Sequence, residues 1–181
     1  MIAGFPGEPG AFSELAVHAL LGDVDMRGYR TFSDVLDGLS AGEIAYAVLP
    51  YENTAHGPIA AVQHLVAARA RVRISGEAAV RVEQCLLGLP DARLDDVDTV
   101  VSHPVALTQC RRFLRDHPGW HVAESDDTAG AVREMMQGRE RATAAIAAAA
   151  AAERYGARLL LRGIQDDPDN ITRFWLITRE Q

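Results

Sequence analysis

Apolar residues fall in short runs that alternate with stretches spaced three and four apart, and the alternation repeats from one end of the chain to the other. Short runs bounded by polar or glycine positions predict buried strands, and the helical spacing predicts helices laid against them. The whole pattern therefore reads as βαβ units stacked on parallel or mixed sheets, an α/β protein. Ile2 to Phe5 opens as a strand, and a loop with Gly7 and Gly10 leads to a helix capped by Ser13, with Leu15, Ala16, Ala19 and Leu20 on one face. Ser33 opens a second helix with Val35, Leu36 and Leu39 inward and Gly42 as its stop, and a strand over 45–49 follows. Pro58 predicts the start of a third helix, with Ile59, Val62, Leu65 and Val66 inward, before a long extended stretch over 72–89 interrupted at Gly76.

The second half repeats the scheme. A strand over 99–101 precedes a helix from Pro104 with Leu107, Cys110 and Leu114 inward; a strand over 121–123 precedes a helix from Asp127; a strand over 144–146 precedes an alanine-rich helix ending near Gly156. Strands over 158–161 and 174–177 close the chain. If the crossover near Gly76 and a return near Gly163 are the only passages, there are two lobes, one of about 1–76 and 163–181 and one of about 77–162, with a cleft between them.

Several strands end in polar groups. Asn170-Ile171-Thr172-Arg173-Phe174 sets an amide, a hydroxyl and a guanidinium where a turn enters the run Phe174-Trp175-Leu176-Ile177, and such a set at a strand edge suits an anion. The strand over 45–49 runs into Pro50-Tyr51-Glu52-Asn53-Thr54, and that over 99–101 into Ser102-His103-Pro104. In open α/β sheets ligands gather at the carboxyl ends of strands, where helix starts present free N–H groups; the glycine loop, Asn53, Ser102 and the region of Thr128 all fall at such ends.

Charge narrows the partners. Eighteen basic against twenty-five acidic residues give a net charge of -7, with few aromatics and no basic run, which excludes nucleic acid and an anionic membrane surface as partners. An anionic small molecule still fits if cations are concentrated locally. The alanine-rich stretch over 142–152 is too short to span a bilayer, which needs about 20 apolar residues. The two cysteines, Cys85 and Cys110, stand in apolar surroundings at no metal or redox spacing and read as reduced core thiols. With no leader at the N-terminus, the expected location is the cytoplasm. No histidine or carboxylate shows metal or triad spacing, Asp126-Asp127 and Asp166-Asp167 read as solvated helix-start and turn acids, and Gly7-Glu8-Pro9-Gly10 lacks the spacing of a nucleotide loop.

In order along nearly the whole chain stand Gly7-Glu8-Pro9-Gly10-Ala11-Phe12-Ser13, Leu49 to Thr54, Gly76-Glu77, Ser102-His103-Pro104 with Gln109-Cys110, Asp127 to Ala131, Ala144 to Ala147, and Gly163 to Asp167 with Asn170 to Phe174. Together they resemble the catalytic domain of prephenate dehydratase and its plant-type relative, arogenate dehydratase. The resemblance implies two periplasmic-binding-protein-like (type II) α/β lobes with the active site in the cleft, no metal or cofactor, and a homodimer. It implies loss of carbon dioxide and the ring hydroxyl from prephenate, giving phenylpyruvate, or from arogenate, giving phenylalanine.

On that resemblance Thr172 would hydrogen-bond the departing hydroxyl and Arg173 would hold a carboxylate, with Asn53, Ser102 and Gln109 completing the catalytic lining. Gly10, Ala11, Phe12, Ser13, Thr54, Thr128 and Phe174 would contact substrate. Neighbouring Thr172 and Arg173 reach one site only if they still lie in the turn, because strand side chains alternate faces. Ala11 and Ala148 stand where the family commonly has hydroxyl residues, and Ala11 leans toward arogenate. The chain stops at Gln181, before any room for a phenylalanine-sensing ACT domain, so feedback through one is not expected. The rival readings are a non-aromatising prephenate decarboxylase, which would lack the Thr172–Phe174 pattern, and a non-catalytic small-carboxylate sensor, which would not need Thr172.

Overall fold

The apolar runs become the strands of two separate sheets, each with its own helices, in a computed structural model that describes residues 1–180. In chain order the first elements are β1 (Ile2–Pro6), α1 (Phe12–Leu21), β2 (Asp25–Tyr29), α2 (Phe32–Ala41), β3 (Tyr46–Asn53), β4 (Gly57–Pro58), α3 (Ala60–Ala67) and β5 (Val72–Arg81). There follow β6 (Cys85–Gly88), β7 (Thr99–Ser102), α4 (Pro104–Gln109), α5 (Arg111–Arg115), β8 (His121–Glu124), α6 (Thr128–Gly138), β9 (Thr143–Ala147), α7 (Ala149–Tyr155), β10 (Arg158–Leu161) and β11 (Ile171–Arg179). Residues 1–8, 12–81 and 169 onward form one unit, and 9–11 with 82–168 form the other.

The sheet of the first unit runs β2-β1-β3-β11-β5, with β4 paired to β3. It is parallel from β2 to β3 and antiparallel where β11 joins β3 and β5. Alternation along β11 fills two cores: Phe174 packs with Phe5, Val48 and the α1 residues Ala16 and Val17, whereas Ile177 packs with Leu49, Val35, Leu36, Leu39 and Val62 on the side of α2 and α3. Extra residues bend two strands: Tyr51 of β3 is skipped in the pairing between Arg173 and Phe174, and Ser75 of β5 is skipped between Leu176 and Ile177. The second unit has the sheet β10-β6-β9-β7-β8, parallel from β9 to β8 and antiparallel at β10 and β6. Its helix α6 buries Ala129, Ala131, Val132 and Met135 against Leu87 and Ala145, while α7 contributes Ala151 and Ala152.

Several expected boundaries move for local reasons. Gly76 is no crossover: it pairs with Leu176 inside β5, beside the bulge at Ser75, and the strand stops only after Arg81. Thr31, not Ser33, caps α2, through a capping box with Asp34, while Gly42 ends the helix at φ 80° as expected. Ser13 lies inside α1 and is buried, and Ala19 faces outward. Pro58 belongs to β4, so α3 starts after Ile59. His103, whose Nδ1 accepts from the Val105 amide, caps α4. The strand β2, half-buried only at Met26 and Tyr29 and lying at the sheet edge, was not expected.

Candidate active site

The strand end at Asn53 and the strand start at Ile171 lie side by side in register, Thr172 opposite Asn53 and Arg173 opposite Glu52. Asn53 is buried, and its side chain holds the turn that follows: Oδ1 accepts from the Ala55 and His56 amides at 3.0 and 3.1 Å. That fixes the amide with its nitrogen toward β11, where Nδ2 donates to Asn170 Oδ1 at 2.8 Å and to Thr172 Oγ1 at 2.9 Å. Thr54 reinforces the nest, its Oγ1 accepting from the Ile171 amide at 2.9 Å. Thr172 Oγ1 thus accepts a hydrogen bond from the protein, and among the described residues its own O–H has no acceptor. The half-buried hydroxyl is left as a donor.

Arg173 does not share that arrangement. Thr172 and Arg173 are both within β11 and point to opposite faces, as regular pleating requires. The guanidinium lies with Glu52, its Nε 3.7 Å from Oε2, and the nearby Tyr51 hydroxyl first, then Glu52, push its pKa up. Tyr51 in turn donates to Glu77 Oε2 at 2.9 Å and stacks on Trp175, ring centroids 4.4 Å apart. Burial first, then the bond to Glu77, pushes the Tyr51 hydroxyl above its ordinary value. The guanidinium is exposed, with the Glu52 and Glu77 carboxylates near it.

Other expected contacts also resolve into structure. Phe174 is a core residue, 1% exposed. The Ala11 methyl packs in the core of the second unit with Ala147 and Ala151. Gly10 is held at φ 93°, and a Cβ there would stand 2.8 Å from the Cα of Ala151, so this glycine serves a close approach to α7. Phe12 opens α1, partly exposed, and Ser13 follows it.

In the second unit Ser102 is fully buried, and its hydroxyl donates to the Ile146 carbonyl at 2.6 Å, tying β7 to β9. It is not presented to a ligand. Thr128 opens α6 behind Asp127, which caps the helix by accepting from the Gly130 amide. Asp166 is half-buried in its turn, and its Oδ1 accepts from the Arg112 amide near the start of α5. Gln109 ends α4 with its Oε1 accepting from Gln84 Nε2 at 3.0 Å. Burial first, then Asp166, raises the Cys110 thiol to about 12, and burial with Glu83 raises Cys85, so neither is a thiolate nucleophile at neutral pH.

Asn170 and Gln84 are the partners that sequence reasoning passed over as site residues. Asn170 stood inside the motif that drew attention to Thr172, and Gln84 follows Glu83 in the otherwise apolar run Val82 to Leu89; an amide in such a run is the signal that would have found it. Among the described residues no helix is long and apolar enough to cross a membrane.

The family model for prephenate dehydratase matches residues 3–181. The chain is 39% identical over 178 residues to arogenate dehydratase 1 of Petunia hybrida, an alignment covering 97% of this chain and 42% of that protein. A structure of prephenate dehydratase from Arthrobacter aurescens, in complex with L-Phe, superposes with a TM-score of 0.91 at 29% identity, covering 100% of this chain and 60% of that one. The ligand-binding component of an ABC-type import system from Staphylococcus aureus shares the fold alone, with a TM-score of 0.51 at 16% identity over 99% of this chain and 65% of that one.

Proposed function

The chain belongs to the prephenate dehydratase family, and from that we propose that it removes carbon dioxide and the ring hydroxyl from prephenate to give phenylpyruvate. Electrons of the bond to the ring carboxylate move into the ring as carbon dioxide leaves, and the ring C–O electrons depart with the hydroxyl oxygen, which takes a proton from solvent and ends as water. Aromatisation drives the step, and it needs neither metal nor organic cofactor. The protein's task is to meet the oxygen that gains charge and to hold the substrate's carboxylates in surroundings where such bonds are strong.

The observation that carries this reading is the bond from Asn53 Nδ2 to Thr172 Oγ1. It leaves the threonine proton for the departing hydroxyl. A threonine is too weak an acid to surrender that proton, so its contribution is a hydrogen bond that strengthens as negative charge grows on the oxygen. Gln109 and Thr128 are the grips for substrate oxygens in this reading, and the first turn of α1 at Phe12 and Ser13 supplies further N–H donors. Arg173 and Ser102 take supporting places. The buried, unpaired Cys85 and Cys110 support a reducing compartment, read here as the cytoplasm. The working assembly is a homodimer, which light scattering would test.

Arogenate is the second reading, favoured by the 39% identity to an arogenate dehydratase. Product analysis after incubation with each substrate at mildly alkaline pH separates the two. Phenylpyruvate from prephenate is expected, and phenylalanine from arogenate alone would move the activity to the second substrate. Carbon dioxide without an aromatic product, or no turnover of either compound, would overturn both.

A further inference from the structure

We propose that Gln84 is the positioning residue that makes Gln109 a hydrogen-bond donor toward the substrate, with the turn over 163–167 as the strap that holds the pair. The inference rests on the reading of Gln109 as a substrate contact. Gln84 is 2% exposed, between β5 and β6, and its Nε2 donates to Gln109 Oε1 at 3.0 Å. Its own Oε1 is buried and has no partner among the described residues. Gln109 Nε2 has no partner among them either, and it is not sealed from solvent.

An amide pair of this kind has two settings. In the one observed, Gln109 offers its N–H groups outward. Turned over, Gln84 would accept from Gln109 Nε2 and Gln109 would show its carbonyl oxygen instead. That setting would push two N–H donors of Gln84 into the buried place where a single unbonded oxygen now stands, so burial selects the observed one. An outward donor suits the carboxylate or keto oxygens of an anionic substrate, and an outward oxygen would oppose them.

The strap removes the remaining freedom. The Gln84 amide donates to Gln165 Oε1 at 2.9 Å, and the Gln84 carbonyl accepts from the Ile164 amide at 3.0 Å. One residue on, the Asp166 amide donates to the Gln109 carbonyl at 2.6 Å, and Asp166 Oδ1 takes the Arg112 amide. The same short turn therefore grips both glutamines by their backbones. This gives a purpose to the motif Gly163 to Asp167, which the proposed chemistry leaves unused.

The test is a double-variant cycle on kcat/KM for phenylpyruvate formation, with thermal melting alongside. Gln84→Met keeps the shape and removes the donor; it is expected to lower kcat/KM about tenfold, mainly through KM, with the melting temperature little changed. In the background of Gln109→Met the same change is expected to cost nothing more, because Gln84 acts only through Gln109. Wild-type kcat/KM in Gln84→Met beside an impaired Gln109→Met would overturn the proposal, and so would losses that multiply in the double variant. A fully active Gln109→Met would instead remove the premise that Gln109 meets substrate, a separate result. Should Gln84→Met fail to fold, Gln165→Ala decides: a few-fold loss that vanishes beside Gln109→Met supports the strap, and no loss, or the same loss in both backgrounds, overturns it.

Discussion

The two units orient a polar side chain by the same device at different degrees of completeness. In the first, Asn53 donates to Thr172 with every part of its amide engaged, the oxygen by the Ala55 and His56 amides and the nitrogen by Asn170 and Thr172. In the second, Gln84 donates to Gln109 with its oxygen left unbonded. Asn53 is thus set by bonds to its own turn, whereas Gln84 is set by what burial forbids. The first arrangement ties site and local fold together, and the second lets orientation be disturbed while the fold stays.

That difference can be broken or sharpened by substitution. The largest effect is expected at Thr172→Val, which keeps the shape and deletes the hydroxyl: steady-state kinetics should show kcat down about 100- to 1,000-fold with stability nearly unchanged. Asn53→Leu should come next, with a loss of activity approaching that value and, unlike Gln84→Met, a fall in stability of about 2 kcal/mol in urea unfolding, because the turn amides lose their acceptor. A stable Asn53→Leu would erase the contrast drawn between the two amides.

Gly10→Ala should destabilise by more than about 1 kcal/mol, since the new methyl would meet the Ala151 backbone from a left-handed conformation; equilibrium unfolding would detect it. The smallest effect is a gain. Ala148 is the N-cap of α7 and makes no side-chain cap bond, so Ala148→Ser should raise stability by about 0.5 kcal/mol, seen as a small rise in Tm.

What could be read beforehand follows from how local each signal is. Gly42 and Gly156 announced helix ends because each takes the left-handed conformation that glycine adopts freely. The edge strand β2 carries Asp25, Arg27 and Gly28 with little buried apolar surface, so its pattern resembles a loop. Gly76 looked like an interruption because glycine marks bulges as well as breaks. At the site, Thr172 and Asn53 were named from their motifs, but their pairing spans 119 positions and exists only once β3 and β11 are neighbours. The same pairing decides that Arg173 turns to Tyr51 and Glu52, which no spacing rule short of the register could tell. Gln84 was hidden by success: the run around it was read for its strand, and the amide within it was passed over.

The central claim is that Asn53 makes Thr172 a donor to the leaving hydroxyl, and the most direct measurement is the coupling between them in phenylpyruvate formation from prephenate. We expect Thr172→Val and Asn53→Leu each to lose most activity and the double variant to be no slower than Thr172→Val alone. If the two losses multiply, or if Thr172→Val turns over prephenate within a few-fold of the unaltered protein, Thr172 is not the donor and the account fails.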